Sequence, residues 1–290
     1  MFRVAKGTLV RSLFGGRRPH VAAQHALQRI ESVRIQTKPF PHLIVDEIFP
    51  DDFYEEILSH LPDVSSLSIP DKFGMMKIGD DDTAFRALPQ ASQKFWSIFE
   101  TDIKTPICSA LLRHYKSYLS EKLTLIFGPA PIESTVADEE FRHLRGIVQC
   151  RTTGSRMGPH VDKATSLFTF LFYFASDESL RPFGTIFYEA PNLEALTERY
   201  RANRGIRAWF PNNDDLAALN LRPAPPIEFQ RNRLVSYANL PYSLHGAATD
   251  AAAVRFSMQS FCDLPLRISL PLFEGWRDPI SPNGLYRGDT

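Results

Sequence analysis

Three side chains in this sequence are of the types that hold a redox-active iron. His160 and Asp162 stand two residues apart, and His245 follows at long range. Two imidazoles and one carboxylate bind ferrous iron and leave other coordination positions open. Because alternate side chains of a strand point the same way, His160 and Asp162 can reach one ion from a single extended segment. We therefore expect the three residues to ligate a metal; the alternative is that both histidines are ordinary core residues.

An arginine and a serine follow the third of these residues. Arg255 lies ten residues after His245, and Ser257 lies two residues further on the same face of a strand-like run. A guanidinium group matches a carboxylate through two parallel hydrogen bonds, whereas an arginine buried without a partner is costly. The pattern favours a dicarboxylate co-substrate held by Arg255. The alternative is a surface salt bridge.

Length and composition exclude several classes of protein. The chain has 290 residues, which suits one large domain with an N-terminal extension or two small domains, and 43% of them are hydrophobic. Lys+Arg and Asp+Glu both number 33, so no basic surplus indicates a nucleic-acid partner. No apolar run approaches the length of a membrane span. The three cysteines form no Cys-x-x-Cys pattern, so we expect them to be reduced and buried in a cytoplasmic protein.

Helices are predicted before strands along the chain. The spacing of apolar residues indicates helices near 51–61 and 90–127, the second interrupted at Pro106, and residues 63–89 are expected to be irregular. This order favours a mainly β protein, a sandwich or barrel of jelly-roll type that N-terminal helices buttress. The strand-like runs are 146–152, 166–174, 184–188, 233–238 and 255–261.

The same patterns divide the chain into parts. The first thirty residues contain basic residues and no acidic one, which is typical of an amphipathic targeting or surface-binding segment, or of a frayed arm. A long insertion interrupts the β core, and such a connection is either a lid over a site or a surface excursion. The expected parts are a basic arm at 1–38, a helical support region at 39–145, a β core at 146–265 with its insertion at 189–228, and a C-terminal tail at 266–290.

Taken together, these residues resemble the Fe(II)- and 2-oxoglutarate-dependent dioxygenases, nearest the prolyl-hydroxylase-like branch. The similarity covers about residues 40–62 and 146–264. The stretches that carry it are 39–46, His160-Val161-Asp162, Leu171-Phe172-Tyr173, Gly184-Thr185, Asn232 to Val235, Pro241 to Gly246 and Arg255-Phe256-Ser257. The resemblance implies a double-stranded β-helix, the jelly-roll, cupin-like fold, with iron at its open mouth.

Roles for individual residues follow from this resemblance. His160, Asp162 and His245 would bind Fe(II). Arg255 would pair with the far carboxylate of 2-oxoglutarate, and Ser257 would add a hydrogen bond. Tyr173 matches a position whose hydroxyl contacts that same carboxylate; the alternative for this residue is an aromatic that fills the barrel.

The implied reaction consumes dioxygen and 2-oxoglutarate, releases succinate and carbon dioxide, and hydroxylates an unactivated C–H bond. Ascorbate is a further candidate cofactor. Asp162 favours hydroxylation, because halogenating members of the family carry a small residue at this position. We expect a small molecule or metabolite as substrate. The alternatives are a peptidyl, prolyl-type hydroxylase that acts on a protein, and a barrel that binds without catalysis; the sequence leaves the oligomeric state open.

Four residues are candidates for contact with that substrate. Gln149 and Arg151 lie on the strand before the metal pair, where ordinary rim residues are the alternative interpretation. Arg207 and Trp209, followed by Phe210, lie in the insertion and could close over a substrate.

Overall fold

Two antiparallel sheets and a group of helices make up the protein in this computed structural model. The structure describes residues 17–64, 75–78, 83–127, 142–143, 147–151, 156–163, 165–202, 210–248 and 254–263. The helices are α1 (Arg17–Ser32), α2 (Asp51–Ser59), α3 (Thr83–Ala87), α4 (Gln90–Ile98), α5 (Thr105–Phe127), α6 (Leu193–Ala202) and α7 (Asn213–Leu219), with a π-helical segment at Phe99–Lys104 and a 3₁₀ helix at Glu178–Phe183. The strands are β1 (His42–Val45), β2 (Met75–Ile78), β3 (Arg142–His143), β4 (Ile147–Arg151), β5 (Arg156–His160), β6 (Ser166–Phe174), β7 (Thr185–Glu189), β8 (Arg222–Pro223), β9 (Arg233–Ala238), β10 (His245–Ala248) and β11 (Arg255–Asp263).

The strands form a larger and a smaller sheet. The larger sheet has the order β1-β9-β6-β11-β4-β2, with β3 paired to β11 at one end, and the smaller has the order β5-β10-β7-β8. Every pairing is antiparallel. Neighbours in each sheet are mostly distant in sequence, so the sheets assemble by long-range pairing rather than from consecutive hairpins. The expectation of a mainly β protein with flanking helices is confirmed.

Strand β6 shows why the two sheets face each other. Its side chains alternate between two apolar layers, because successive residues of a strand point to opposite sides. Phe170 and Phe172 belong to the core cluster that includes the helices, whereas Tyr173 packs with Phe187 of the smaller sheet and Val235 of β9. Burial on both faces is what the continuous apolar run predicted. The larger sheet therefore has helices on one side and the smaller sheet on the other.

The long helical run predicted at 90–127 is present, but it is not one α-helix. It begins as α4, widens into a π-helical segment over Phe99–Lys104, and continues as α5. Pro106 stands at the start of α5 and has no backbone N–H to donate to the preceding turn, so the widened turn falls where that bond is missing. Phe99 and Ile103 nevertheless stay buried against the sheet.

Two local expectations are wrong. The basic N-terminal segment is not a frayed arm over its second half, because residues 17–32 form α1, which buries Ala22, Ala26 and Ile30 at helical spacing. Residues 63–89 are not irregular throughout, since they include β2 and α3. Strand β2 owes its conformation to pairing with β4, a long-range partner that local polarity does not reveal. Residues 1–16 and the predicted tail from 266 onward lie outside the described residues.

None of the helices in the described ranges combines the length and the apolar character that a bilayer crossing requires.

A buried lysine joins helix α5 to the sheet. The Nζ of Lys122 donates to the carbonyl oxygen of Ser166 on β6. Asp263 on β11 lies close by, where it accepts from the Ser166 hydroxyl at 2.6 Å and from Lys163 Nζ at 2.8 Å. Complete burial is the main cause that lowers the pKa of Lys122 to about 7, and the charge of Asp263 opposes that shift.

The stability of the fold should depend on pH through Lys122. Because its pKa is lower in the folded chain than in the unfolded chain, the unfolded chain binds more protons between about pH 7 and the ordinary lysine value. The free energy of unfolding should therefore rise with pH in this window, by up to about 1 kcal/mol per pH unit. Lys122→Met should remove this contribution, measured as urea unfolding of both proteins from pH 7 to pH 9.

Lys163→Met is the matched control, because it removes the partly exposed ammonium group that also contacts Asp263. It should keep the pH dependence of the wild type. Equal slopes for the wild type and Lys122→Met would contradict the prediction.

Candidate metal centre

Two neighbouring strands of the smaller sheet bring the two histidines together. His160 ends β5 and His245 begins β10, and the two residues are direct partners in this antiparallel pair. Their ring centroids are 4.2 Å apart. Asp162 lies in the segment just after β5. His160, Asp162 and His245 expose 4%, 5% and 4% of their surface, and each offers a ligand atom within 4.8 Å of the others.

Backbone carbonyl groups fix the tautomer of both rings. The Nδ1 of His160 lies 3.0 Å from the carbonyl oxygen of Gly158, and the Nδ1 of His245 lies 3.0 Å from that of Ser243. A carbonyl oxygen can only accept, so both Nδ1 atoms carry a proton, and in the neutral imidazole each Nε2 atom presents a lone pair. Metal-binding histidines are oriented in this way in many proteins.

Both Nε2 atoms face the carboxylate of Asp162. The Nε2 of His160 lies 3.9 Å from Oδ1, and the Nε2 of His245 lies 3.6 Å from Oδ2. These separations exceed hydrogen-bond length. Between neutral rings and a carboxylate, the lone pairs and the negative charge repel one another across such a gap, and a cation between them would turn the repulsion into attraction.

A second observation shows that these residues are suited to bind a metal. The Nε2 of His245 is buried and has no hydrogen-bond partner among the residues that the structure describes. A buried polar atom without a partner destabilises the fold by about 1–3 kcal/mol. Coordination to a metal would satisfy this atom, and two imidazoles with one carboxylate form the donor set of non-haem ferrous sites.

Two residues that were not predicted from the sequence hold Asp162 in place through hydrogen bonds. The hydroxyl of Thr169 donates to Oδ2 of Asp162 at 2.7 Å, and the Nδ2 of Asn239 donates to the Thr169 hydroxyl oxygen at 2.9 Å. Thr169 shares one face of β6 with Tyr173, four residues away, so strand periodicity could have placed it toward the site. No local signal points to Asn239.

The insertion at 189–228 packs directly against the ligand segments. Val161, between two of the ligand residues, and Leu244, just before the third, form a buried cluster with Leu196 of α6 and Leu219 of α7. All four side chains are buried. The inserted helices therefore pack against the segments that carry the candidate metal centre, and the interpretation of this insertion as a surface excursion is wrong.

One aromatic residue of the insertion covers a histidine. The ring of Phe210 stacks on that of His160, with centroids 4.8 Å apart and planes within 12°. Phe210 still exposes 42% of its surface. It thus shields one side of His160 and presents an apolar face to whatever approaches the centre. The other two candidates of this segment, Arg207 and Trp209, lie outside the described residues.

The larger sheet carries the predicted carboxylate-binding residues. Arg255 exposes only 4% of its surface, so it does not lie at the surface, as the alternative interpretation required. Its guanidinium carbon lies 5.1 Å from the centroid of the Phe229 ring. Ser257 is also buried and is the direct partner of Tyr173 on β6.

The hydroxyl of Tyr173 connects the two sheets. It accepts from the backbone N–H of Thr185 at 3.1 Å and shares a 2.6 Å hydrogen bond with the Thr185 hydroxyl. Burial raises the pKa of Tyr173, and the positive charge of Arg255 opposes that shift. The phenol is therefore protonated at neutral pH and can act as a donor. Thr185 begins β7, and β7 pairs with β10, the strand that begins at His245.

The two remaining candidates lie on the next strand of the larger sheet. In the pairing of β4 with β11, Gln149 is the partner of Ser257 and Arg151 is the partner of Arg255. Their backbones therefore adjoin those of the residues predicted to bind a carboxylate. Contact of Gln149 and Arg151 with a substrate stays a prediction.

Comparisons with known proteins give structural matches alone. No protein-family model and no curated protein matches this sequence. A prolyl hydroxylase from Trichoplax adhaerens, solved with a peptide fragment of hypoxia inducible factor, is 12% identical, with a TM-score of 0.42, over 88% of this chain and 94% of its own. HygX from Streptomyces hygroscopicus, solved with nickel and 2-oxoglutarate, is 12% identical, with a TM-score of 0.38, over 77% of this chain and 82% of its own.

The α-ketoglutarate-dependent epimerase SnoN from nogalamycin biosynthesis is also 12% identical, with a TM-score of 0.43, over 83% of each chain. Identities of 12% and TM-scores below 0.5 do not carry a function from these proteins to this chain. A function for this chain therefore has to follow from the residues of its own site.

The close approach of β5 and β10 should determine metal affinity, and Gly246 permits that approach. A Cβ atom on Gly246 would lie 2.6 Å from the carbonyl oxygen of Met157 and 3.0 Å from that of Gly158. Gly246→Ala should push the strands apart and displace His245 from His160. We expect the dissociation constant for Co(II) to rise by about tenfold or more, the scale of disturbed ligand orientation. The measurement is titration of the apoprotein, followed by visible absorption.

Gly158→Ala on the facing strand is the matched control. A Cβ atom there would meet no heavy atom within 4 Å, and the carbonyl oxygen that orients His160 is retained. Its affinity for Co(II) should equal that of the wild type. Equal affinities in all three proteins would show that this approach does not set the geometry of the centre.

Proposed function

We propose that this protein is an Fe(II)- and 2-oxoglutarate-dependent oxygenase that hydroxylates an unactivated C–H bond of a small molecule or metabolite. The observation that carries the proposal is the convergence of two oriented imidazoles on one carboxylate, at His160, His245 and Asp162. Bound ferrous iron would supply activation of dioxygen, coupled to oxidative decarboxylation of 2-oxoglutarate to succinate and carbon dioxide.

The buried residues of the larger sheet support 2-oxoglutarate as the co-substrate. A guanidinium group in a buried site is best matched by a carboxylate, which accepts two parallel hydrogen bonds from it. Ser257 and Tyr173 can donate to the same carboxylate, since they are direct partners across β6 and β11. The amide and hydroxyl of Thr185 can both donate to the phenol oxygen, which leaves the phenol proton for a ligand.

The arrangement of the sheets supports the finer description of the fold. We propose that the facing sheets form a double-stranded β-helix, or jelly roll, which is the β core expected at 146–265. The metal ligands lie on or beside the smaller sheet, and Arg255 lies on the larger one. A co-substrate that contacts both would occupy the space between the sheets, where Tyr173 links them.

The position of Phe210 supports the proposal that the substrate is compact and partly apolar. Its ring covers one side of His160, and its outer face is exposed beside the centre. Apolar surface at the mouth of a site favours contact with the apolar part of a ligand. The protein groups near the centre would bind, orient and exclude water, because the described contacts of the ligands are ones that hold them in place: the Thr169 hydroxyl, two backbone carbonyl groups and the Phe210 ring.

The binding of both cofactors can be tested without a substrate. Anaerobic addition of Fe(II) and 2-oxoglutarate should produce a weak visible charge-transfer band, which His160→Ala should abolish because it removes a ligand. Arg255→Gln should keep the band but raise the 2-oxoglutarate concentration for half-saturation by about 10- to 100-fold, the effect of losing a charged hydrogen-bonded pair.

Arg181→Gln is the control for Arg255→Gln, because Arg181 forms exposed ion pairs with Glu178 and Glu228. It should bind 2-oxoglutarate like the wild type. If the wild type shows no band, and no succinate forms from 2-oxoglutarate in air, the proposed function is wrong.

The substrate class has its own experiment. Libraries of small metabolites and of proline-containing peptides should be compared for stimulation of succinate release by the wild-type protein, with hydroxylated product identified by mass spectrometry. Stimulation and product from a small molecule are expected. Stimulation by peptides alone would make the protein a peptidyl hydroxylase and contradict the proposed substrate class, while the cofactor assignment would stand.

A further inference from the structure

Asp162 is the one proposed ligand that no strand holds. His160 and His245 lie at strand ends that pair with each other, whereas Asp162 lies two residues beyond the end of β5 and has no regular backbone structure. A short carboxylate side chain outside a strand needs another contact to fix its direction. The hydrogen bond from Thr169 at 2.7 Å provides that contact.

The chemistry of the groups determines which of them donates in the hydrogen bonds that link Asn239 to Thr169 and Thr169 to Asp162. An ionised carboxylate can only accept, so the single hydroxyl proton of Thr169 points to Asp162. The hydroxyl oxygen is then free to accept a second hydrogen bond, so Asn239 must turn its NH₂ group toward it. The 2.9 Å contact from Nδ2 agrees with this orientation. The amide of Asn239 therefore holds the Thr169 hydroxyl in the donor orientation that Asp162 requires.

Hydrogen bonds to the larger sheet fix the two supporting residues in place. Thr169 lies on β6, between β9 and β11, and its carbonyl oxygen accepts from the hydroxyl of Ser236 at 3.0 Å. The backbone N–H of Asn239 donates to the carbonyl oxygen of Leu167 at 2.9 Å. Thr169 and Asn239 are both buried. The carboxylate is thus anchored to a sheet other than the one that carries the histidines.

One polar atom of the Asn239 side chain lacks a hydrogen-bond partner among the described residues. Its Oδ1 is buried and has no hydrogen-bond partner within the described part of the chain. A buried acceptor without a partner is unfavourable, so its retention calls for a reason. The orientation of the other end of the amide toward Thr169 provides one.

We propose that Thr169 and Asn239 are positioning residues, which turn the Asp162 carboxylate toward the two histidine Nε2 atoms and thereby set metal affinity. The inference rests on the proposed function in so far as it requires a metal at this centre. Neither residue touches the metal. Thr169 acts through Asp162, and Asn239 acts through Thr169.

The experiment measures Co(II) dissociation constants of the full-length apoprotein and its variants by visible absorption, with the free energy of unfolding measured in parallel. Thr169→Val keeps the shape of the side chain and removes the hydroxyl, so Co(II) binding should weaken by about 10- to 100-fold. Thr169→Ser restores the hydroxyl and should bind Co(II) nearly as tightly as the wild type. Asn239→Leu should weaken binding less, because it leaves the Thr169 hydroxyl in place without its orienting donor.

Ser260→Ala is the matched control for loss of a buried hydroxyl. Ser260 lies on β11, is fully buried, and its Oγ has no hydrogen-bond partner among the described residues. This variant should bind Co(II) like the wild type.

The outcomes separate this inference from the proposed function. If Thr169→Val binds Co(II) like the wild type while Asp162→Ala does not bind, the positioning role is wrong and the metal centre stands. If Thr169→Ser binds as weakly as Thr169→Val, the effect comes from packing and the positioning role is also wrong. If the wild type and Asp162→Ala bind equally weakly, the metal centre and the positioning role are both wrong.

Discussion

The antiparallel pairing of β5 with β10 is the interaction on which the candidate site depends. It places His160 directly opposite His245, and a shift of one residue in register would turn one of the two rings to the other side of the sheet. Gly246 permits the strands to lie close together at this point. Backbone carbonyl groups near the same strand ends then orient both rings, so strand pairing and ring orientation come from one local arrangement.

The larger sheet contributes the parts that the smaller sheet lacks. It carries Arg255 and Ser257 on one strand and, on the next, the Thr169 hydroxyl that donates to Asp162. The hydrogen bonds between Tyr173 and Thr185 connect the sheets close to the histidine strands. A metal at the smaller sheet and a carboxylate on the larger one would therefore be held at a fixed separation, which is what a co-substrate that bridges them requires.

Helices stabilise this arrangement from two sides. The N-terminal helices pack on the outer face of the larger sheet, where Phe170 and Phe172 of β6 enter the main core. The helices of the insertion pack on Val161 and Leu244, the residues that adjoin the ligands in sequence. Packing at both places limits the movement of the strands that carry the site, because well-packed cores deform little.

The sequence by itself determined the types of the ligand residues, the positions of the main strands and the burial of Arg255. These follow from local periodicity, which also places Arg255 at the start of an apolar strand-like run where only a partnered charge is tolerated, and β6 agrees with its prediction residue for residue. Only the tertiary structure decided that Asn239 and Thr169 support Asp162, that Phe210 covers His160, and that 75–78 is a strand. All of these contacts except that between Thr169 and Asp162, which spans seven residues, join segments far apart in the chain. Local periodicity carries no information about which distant segments pair or at which register.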